Sequence, residues 1–255
     1  MSVRPKKDLG QHFLVDENLL GVIGRLAELE QDDVVLEVGP GLGVLTRYLA
    51  RRVALVHAVE LDESLAPHLR DVADNVRIHF GDALRLDLGT LDPAPGKLVA
   101  NLPYNIATPL VVESLDGLPA LERWCVMVQR EVADRFFAVP GTKSYGAVSV
   151  LVQLATERTG FHPVSRTVFR PRPKVDSALV AFRRREPARD FASVKRVVEG
   201  AFAHRRKTLP NSLALSGVAT REQAEAALAR IDRAADTRAE ALAPPEFVQL
   251  AEMLR

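Results

Sequence analysis

Residues 34–43 read VVLEVGPGLG, a short apolar run followed by glycines at three alternate positions. An apolar run that is nearly continuous is typical of a parallel strand buried on both faces, and a strand is predicted at Val34–Val38. Glycines after such a strand let the backbone turn sharply and approach a ligand closely. The spacing G-x-G-x-G differs from the G-x-G-x-x-G of dinucleotide dehydrogenases, and Glu37 beside the turn suits a cationic ligand better than a phosphate. Taken alone, the motif also fits a purely structural glycine turn.

The pattern of a short apolar strand followed by a helix or loop recurs along the chain. Further strands are predicted at Ala54–Val59, Val76–Phe80, Lys97–Ala100, Trp124–Val128 and Ser177–Arg183, and helices at Asp16–Leu29 and Tyr145–Thr156. Repeated strand–helix units imply an α/β fold with a doubly wound, Rossmann-like sheet and right-handed crossovers.

The sequence changes character after the charged stretch RRREP at residues 183–187. Only helical patterns follow, at Phe191–Phe202, Arg221–Arg230 and Pro245–Leu254. We therefore expect two domains, an α/β catalytic domain over residues 1–185 and a small helical domain over residues 186–255.

The net charge of +1 conceals a strongly basic segment. Residues 158–214 hold 14 Lys and Arg against 4 Asp and Glu, whereas the rest of the chain is acidic on balance. Each phosphate neutralised by Lys or Arg releases a counterion, so a local excess of this kind favours a polyanionic partner such as nucleic acid. A solvated basic surface is the alternative.

Other classes of protein are disfavoured by composition. The longest stretch without a charged residue, residues 98–112, is shorter than the roughly 18 residues that a membrane helix needs, and no apolar segment follows the charged N-terminus. The single cysteine, Cys125, excludes an internal disulfide and a cysteine-based zinc site. We expect a cytoplasmic protein with no membrane association and no metal, and nothing in the sequence suggests an obligate oligomer, so a monomer is expected.

Two further carboxylates follow predicted strands. Glu60 lies at the end of the second strand, where it can bind both hydroxyls of a ribose, and Asp82 follows the third strand, where it can accept a hydrogen bond from an adenine amino group. Either acid alone would fit a helix cap, and that role is expected for Asp62. Three acids at successive strand ends favour a ligand site.

The fourth strand runs into Asn101-Leu102-Pro103-Tyr104, the most specific motif of the chain. An exocyclic amine of adenine is a poor nucleophile because its lone pair is delocalised into the ring. The side-chain oxygen of Asn101 and a rigid backbone carbonyl can each bind one amine hydrogen, and Tyr104 offers a face on which a base can stack. Direct displacement needs alignment and electrostatic stabilisation, with no metal or covalent intermediate. A strand-end turn is the alternative for these residues.

Together these motifs resemble the class I S-adenosylmethionine-dependent methyltransferases, and Asn101–Tyr104 resembles the tetrapeptide of the ribosomal RNA adenine dimethyltransferase family. Further segments similar to that family are Leu9–Leu14, Val128–Ala133, Phe169–Ser177 and Phe202–Leu209. Family members often carry asparagine where this chain has His12. The resemblance implies a catalytic set of Asn101, Leu102, Pro103, Tyr104 and Phe169, in which Phe169 packs on the flipped adenine opposite Tyr104. It implies a set binding S-adenosylmethionine of Gln11, His12, Leu14, Glu37, Gly39, Gly41, Gly43, Glu60, Leu61, Asp82, Ala83 and Asn101.

The resemblance is strongest to the bacterial small-subunit branch of the family. It implies dimethylation of two adjacent adenosines near the 3′ end of small-subunit (16S) ribosomal RNA, late in subunit assembly, with the small subunit and its RNA as partners. The residues expected to contact RNA phosphates are Arg170, Arg172, Lys174, Arg205, Arg206 and Lys207.

Three alternative functions stay open at this point. A large-subunit RNA adenine dimethyltransferase would share fold and chemistry, and a non-catalytic assembly factor could use the same fold as a scaffold. A nicotinamide dehydrogenase is disfavoured by the glycine spacing and by the lack of an evident hydride-transfer site.

Overall fold

The computed structural model describes residues 11–186 and 190–255, and its main element is a seven-stranded sheet. The strands are β1 Phe13–Leu14, β2 Val34–Val38, β3 Leu55–Glu60, β4 Val76–Phe80, β5 Lys97–Asn101, β6 Arg123–Gln129, β7 Thr156–Val164, β8 Phe169–Arg170 and β9 Ser177–Arg184. The helices are α1 Glu17–Ala27, α2 Val44–Ala50, α3 Ala66–Leu69, α4 Ala107–Gly117, α5 Arg130–Phe136, α6 Ala147–Ala155, α7 Phe191–Ala203, α8 Leu209–Leu215, α9 Arg221–Arg230 and α10 Pro244–Met253. The predicted strands and helices are confirmed, with ends that shift by at most two residues.

The strand order of the large sheet is β4-β3-β2-β5-β6-β9-β7. From β4 to β6 neighbouring strands are parallel, whereas β9 runs antiparallel to β6. The chain winds outward from β2 to β4 and then returns to β5 on the other side of β2. The carboxyl ends of β2 and β5 therefore border the crevice where open α/β sheets bind ligands.

Apolar side chains that pack around β2 stabilise this order of strands. Val35 and Leu36 are fully buried, and the core cluster on one side of the sheet includes Val35, Val56, Val99 and Ile23 of α1. Burial of each such side chain contributes about 2 kcal/mol. Helix α1 begins where expected, because the Asp16 side chain accepts a hydrogen bond of 2.8 Å from the Asn18 N–H.

The sequence did not predict β1, β7, β8 or α8, or the bounds of α2 to α5. The strand β7 extends the sheet beyond β9, and β1 pairs with β8 in a separate two-stranded sheet, Phe13 opposite Arg170. The helix α8 follows the basic segment at residues 205–207.

The contacts between Cα atoms divide the chain into two compact units. Among the described residues, one unit contains 11–133 together with Arg158–Arg184, and the other contains Asp134–Glu157, 185–186 and 190–255. The division falls next to the expected boundary at residue 185, but it groups α6 with the C-terminal helices, whereas the sequence placed this helix in the catalytic domain. A physical reason is that α6 packs on α7 and α10.

No helix in the two described ranges is long and apolar enough to cross a membrane.

Candidate active site

A cavity opens at the carboxyl ends of β2, β3, β4 and β5. Fourteen of the sixteen predicted catalytic and cofactor-binding residues line it, so these motifs lie close together in the structure. They are Gln11, His12, Leu14, Glu37, Gly39, Gly41, Glu60, Leu61, Asp82, Ala83, Asn101, Leu102, Pro103 and Tyr104.

The glycine turn after β2 forms one wall of the cavity. Gly39 and Gly41 have φ values of 75° and 57°, in the left-handed region that glycine adopts without strain. A Cβ at Gly41 would lie 2.9 Å from the Phe13 ring, and one at Gly39 would lie 3.1 Å from Pro103. Only glycine lets the turn pack against both the N-terminal segment and the Asn101–Tyr104 motif.

The Glu60 carboxylate is held in place by backbone N–H groups. Its Oε2 accepts a hydrogen bond of 3.1 Å from Gly41, and its Oε1 accepts one of 2.9 Å from Asp62. Burial raises the pKa of Glu60, and these two hydrogen bonds oppose the rise. Each carboxylate oxygen keeps a second lone pair, so the group can still accept hydrogen bonds from a ligand.

Asp62 and Asp82 both act as local caps. Asp62 accepts from the N–H and hydroxyl of Ser64, as expected, and its other oxygen accepts a bond of 3.0 Å from the side-chain amide of Gln11. Asp82 accepts from the Leu84 N–H and lies 3.5 Å from the Arg85 guanidinium. Asp82 therefore has both the turn-forming role and a position in the cavity wall.

Glu37 is the most deeply buried acid of the cavity. Its Oε2 has no hydrogen-bond partner within the described residues. Burial raises the pKa of Glu37 to about 8, with a smaller contribution from Glu60. Glu37 and Glu60 therefore give the cavity two acidic groups with acceptor oxygens, which suit a positively charged ligand.

The Asn101–Tyr104 motif is fixed by contacts at both ends. The Asn101 side chain donates a hydrogen bond of 3.2 Å from Nδ2 to the His12 carbonyl. At the other end, the Tyr104 hydroxyl lies 2.6 Å from the Ser177 hydroxyl. Burial raises the pKa of Tyr104, so its phenol stays protonated at neutral pH. Ser177 is buried at the start of β9 and ends the Phe169–Ser177 motif, but the sequence predicted no role for it in the site.

The N-terminal segment closes the cavity through His12. The His12 Nδ1 atom lies 2.7 Å from the Pro171 carbonyl, so Nδ1 carries the hydrogen and donates it. The His12 ring centroid lies 5.7 Å from that of Tyr104. Histidine at this position therefore joins the segment after β8 to the reacting motif.

Two predicted site residues lie outside the cavity wall. Phe169 is 2% exposed, belongs to the apolar core and does not line the cavity, so its packing on a flipped adenine opposite Tyr104 stays a prediction. Gly43 is the N-cap of α2, with a φ of 74°, and a Cβ there would meet Arg47, Leu69 and Val72. Gly43 therefore begins the helix, and its contact with the cofactor stays a prediction. Phe13, Pro40 and Ile106 line the cavity without having been predicted, since their apolar side chains gave no chemical signal.

All six basic residues expected to contact RNA are exposed. Arg205 also has an internal role, because its guanidinium donates hydrogen bonds of 2.9 Å to the carbonyls of Lys143 and Tyr145. The described structure gives Arg206 and Lys207 no side-chain ion pair or hydrogen bond, so their charges face solvent.

The sheet order, the glycine turn and the carboxylates at successive strand ends define a class I S-adenosylmethionine-dependent methyltransferase. A family model described as ribosomal RNA adenine dimethylase matches residues 3–255, and the chain belongs to this family.

Similar proteins agree over nearly the whole chain. A Rubrobacter xylanophilus protein named ribosomal RNA small subunit methyltransferase A is 52% identical over 251 residues, which cover 97% of this chain and 94% of that protein. The crystal structure of a dimethyladenosine transferase from Plasmodium falciparum matches with a TM-score of 0.80 and 25% identity, covering 94% of this chain and 96% of that one. The structure of the 23S rRNA methyltransferase ErmE matches with a TM-score of 0.65 and 30% identity, covering 95% and 99%.

Proposed function

We propose that this protein dimethylates the exocyclic amino groups of two adjacent adenosines near the 3′ end of small-subunit (16S) ribosomal RNA, late in assembly of the subunit. The observation that carries the chemistry is the orientation of Asn101. Because Nδ2 is bound to the His12 carbonyl, Oδ1 is the atom left to accept a hydrogen from the substrate amine. The name of the Rubrobacter relative supports the choice of the small subunit.

S-adenosylmethionine supplies a methyl group on a positively charged sulfur when it is bound. The residues that would hold it are the glycine turn, Glu60 at the ribose and Asp82 at the adenine, with Gln11, His12, Leu14, Leu61 and Ala83 completing the wall. The acidic lining fits this cation, since a carboxylate in a partly buried site stabilises positive charge strongly.

The residues of the Asn101–Tyr104 motif orient the amine. Asn101 Oδ1 and a backbone carbonyl of the motif bind its two hydrogens, which directs the nitrogen lone pair toward the methyl group. Tyr104, fixed by Ser177, supports the ring of the flipped adenine, and Pro103 keeps the backbone rigid. Alignment of this kind provides most of the acceleration that a direct displacement needs.

The RNA is bound by exposed cations in both units. We assign phosphate contacts to Arg170, Arg172, Lys174, Arg205, Arg206 and Lys207, and an RNA- and ribosome-binding role to the helical region from residue 186. Such contacts position the substrate without reading its sequence, so recognition rests on the shape of the RNA and the subunit.

The experiment that tests the proposal is transfer of labelled methyl groups to ribosomal subunits purified from cells that lack the modification. Small subunits, large subunits and protein-free RNA are compared, and labelled nucleosides are identified by mass. Dimethyladenosine on small subunits is the expected result. Label on large-subunit RNA would assign the protein to the large-subunit type, and tight binding without label would make it an assembly factor.

A further inference from the structure

Glu37 differs from the other acids of the cavity in its hydrogen bonding. Its side chain is 1% exposed, and Oε2 lacks a partner among the described residues, whereas both oxygens of Glu60 accept backbone N–H groups. A buried carboxylate with an unbonded oxygen is energetically costly, and protonation removes much of this cost.

The groups around Glu37 act in both directions on its pKa, and the effect of burial is the largest. Glu60 of β3 is a like charge and raises the pKa of Glu37, while the Thr46 hydroxyl and the Arg47 guanidinium of α2 lower it by less than burial raises it. On the other side of β2, the strand β5 ends at Asn101, which carries no charge. With a pKa of about 8, the Glu37 carboxyl group is mostly protonated at pH 7 in the protein without ligand.

We propose that Glu37 gives up its proton when S-adenosylmethionine binds, and that the resulting carboxylate selects the charged cofactor over its thioether product, S-adenosylhomocysteine. The inference rests on the cofactor of the proposed function. The cofactor brings a positive sulfur into a partly buried cavity, and this charge stabilises an ionised carboxyl group in the wall. The product has lost that charge together with the methyl group, so it gives Glu37 no comparable reason to ionise.

Proton release links cofactor affinity to pH. Where the protein must lose one proton to bind, affinity rises about tenfold per pH unit below the pKa of the group. The affinity for S-adenosylhomocysteine should change much less over the same interval. Discrimination against the product is therefore expected to increase as the pH approaches 8.

Isothermal titration calorimetry in buffers of different ionisation heat measures the number of protons released on binding. We would titrate each ligand, without RNA, into the wild-type protein and into Glu37→Gln at neutral pH. Glu63→Gln is the matched control, because Glu63 is exposed and does not line the cavity. The same ligands and buffers are used with all three proteins, so a difference between Glu37→Gln and the other two is assigned to position 37.

The expected result is nearly one proton more per S-adenosylmethionine bound to the wild type and to Glu63→Gln than to Glu37→Gln, and a smaller difference for the product. Equal release by wild type and Glu37→Gln would overturn the inference, as would equal release with both ligands. If Glu37→Gln does not fold, the inference is still tested by comparing the protons that the wild type releases on binding each of the two ligands. Absence of any S-adenosylmethionine binding would instead refute the proposed function.

Discussion

The side-chain amide of Asn101 donates a hydrogen bond of 3.2 Å to the backbone carbonyl of His12, 89 residues earlier in the chain. Because Nδ2 is committed to this bond, Oδ1 is the atom that can accept a hydrogen from an amine. The N-terminal segment and the reacting motif are therefore coupled, and a change at either one alters the other.

Replacing Asn101 with Ala should lower the rate of methyl transfer by about 100-fold or more, as for loss of one preorganised polar group in an active site. Cofactor affinity should change far less, because Glu60 and the glycine turn remain. Single-turnover kinetics and calorimetric binding measure the two effects separately. Asn18→Ala is the control, since Asn18 is exposed on α1 and does not line the cavity. An equal loss of affinity and rate would make Asn101 mainly a cofactor ligand.

Glu60→Gln should weaken S-adenosylmethionine binding by about tenfold or more. Gln has one acceptor oxygen, so either Gly41 N–H or Asp62 N–H would face an amide NH2 group, and the variant also loses a charge near the ligand. Calorimetry gives the affinity, and thermal unfolding without ligand reports any loss of stability. Unchanged affinity would remove Glu60 from the ribose role.

Ser177→Ala should reduce kcat several-fold by releasing the Tyr104 hydroxyl, without a matching change in cofactor affinity. A double-mutant cycle with Tyr104→Phe tests this, because both changes delete the same 2.6 Å hydrogen bond. The double variant should therefore be no slower than Tyr104→Phe alone. Strictly additive losses would show that Ser177 does not act through Tyr104, and Ser177→Thr, which keeps the hydroxyl, should recover part of the rate.

Arg206→Ala combined with Lys207→Ala should weaken binding to small subunits and flatten its salt dependence, by about 0.7 to 0.9 in the slope for each phosphate that is no longer neutralised. Thermal stability should be unaffected, since both side chains are exposed. Arg205→Ala, by contrast, should lower the unfolding temperature as well, because Arg205 binds the Lys143 and Tyr145 carbonyls. An unaltered salt slope in the double variant would place the RNA surface elsewhere.

Glu37→Gln should stabilise the ligand-free protein increasingly as the pH rises. The folded-state pKa of about 8 lies above the ordinary value of 4.5, so the stability that depends on the protonated group is complete below pH 4.5 and is lost as the pH rises toward 8. Gln does not titrate. The difference in Tm between variant and wild type, measured by calorimetry from about pH 5 to about pH 8, should therefore grow with pH, and a constant difference would contradict the raised pKa.

The strands β5, β6 and β9 were predictable because each contains a continuous apolar run, as burial on both faces requires. The strand β7 was not, since Thr156–Val164 contains charged residues, Gly160 and Pro163, and it forms only because it adds to the edge of the sheet beside β9. Composition also could not show that β9 runs antiparallel to β6, because burial selects the same apolar residues in either direction.

The site residues that the sequence made predictable are polar or charged side chains that end or follow a strand, as at Glu60, Asp82 and Asn101. The packing of Phe169 on the flipped adenine stays a prediction, because Phe169 is buried and an aromatic residue gives the same signal in a core as in a binding site. The contact of Tyr104 with Ser177 spans 73 residues and is produced by the register of β9, which no local pattern encodes.

The pairing of β1 with β8 has a consequence for synthesis of the protein. Residues 13 and 14 leave the ribosome early, but their partners at residues 169 and 170 follow more than 150 residues later, as does the Pro171 carbonyl that binds His12. At the 5 to 20 residues per second of translation, this delay is on the order of ten seconds or more. A nascent chain that already has β2 to β5 therefore still lacks the anchor of its N-terminal wall, and full cofactor affinity should develop only after the chain has grown past residue 171.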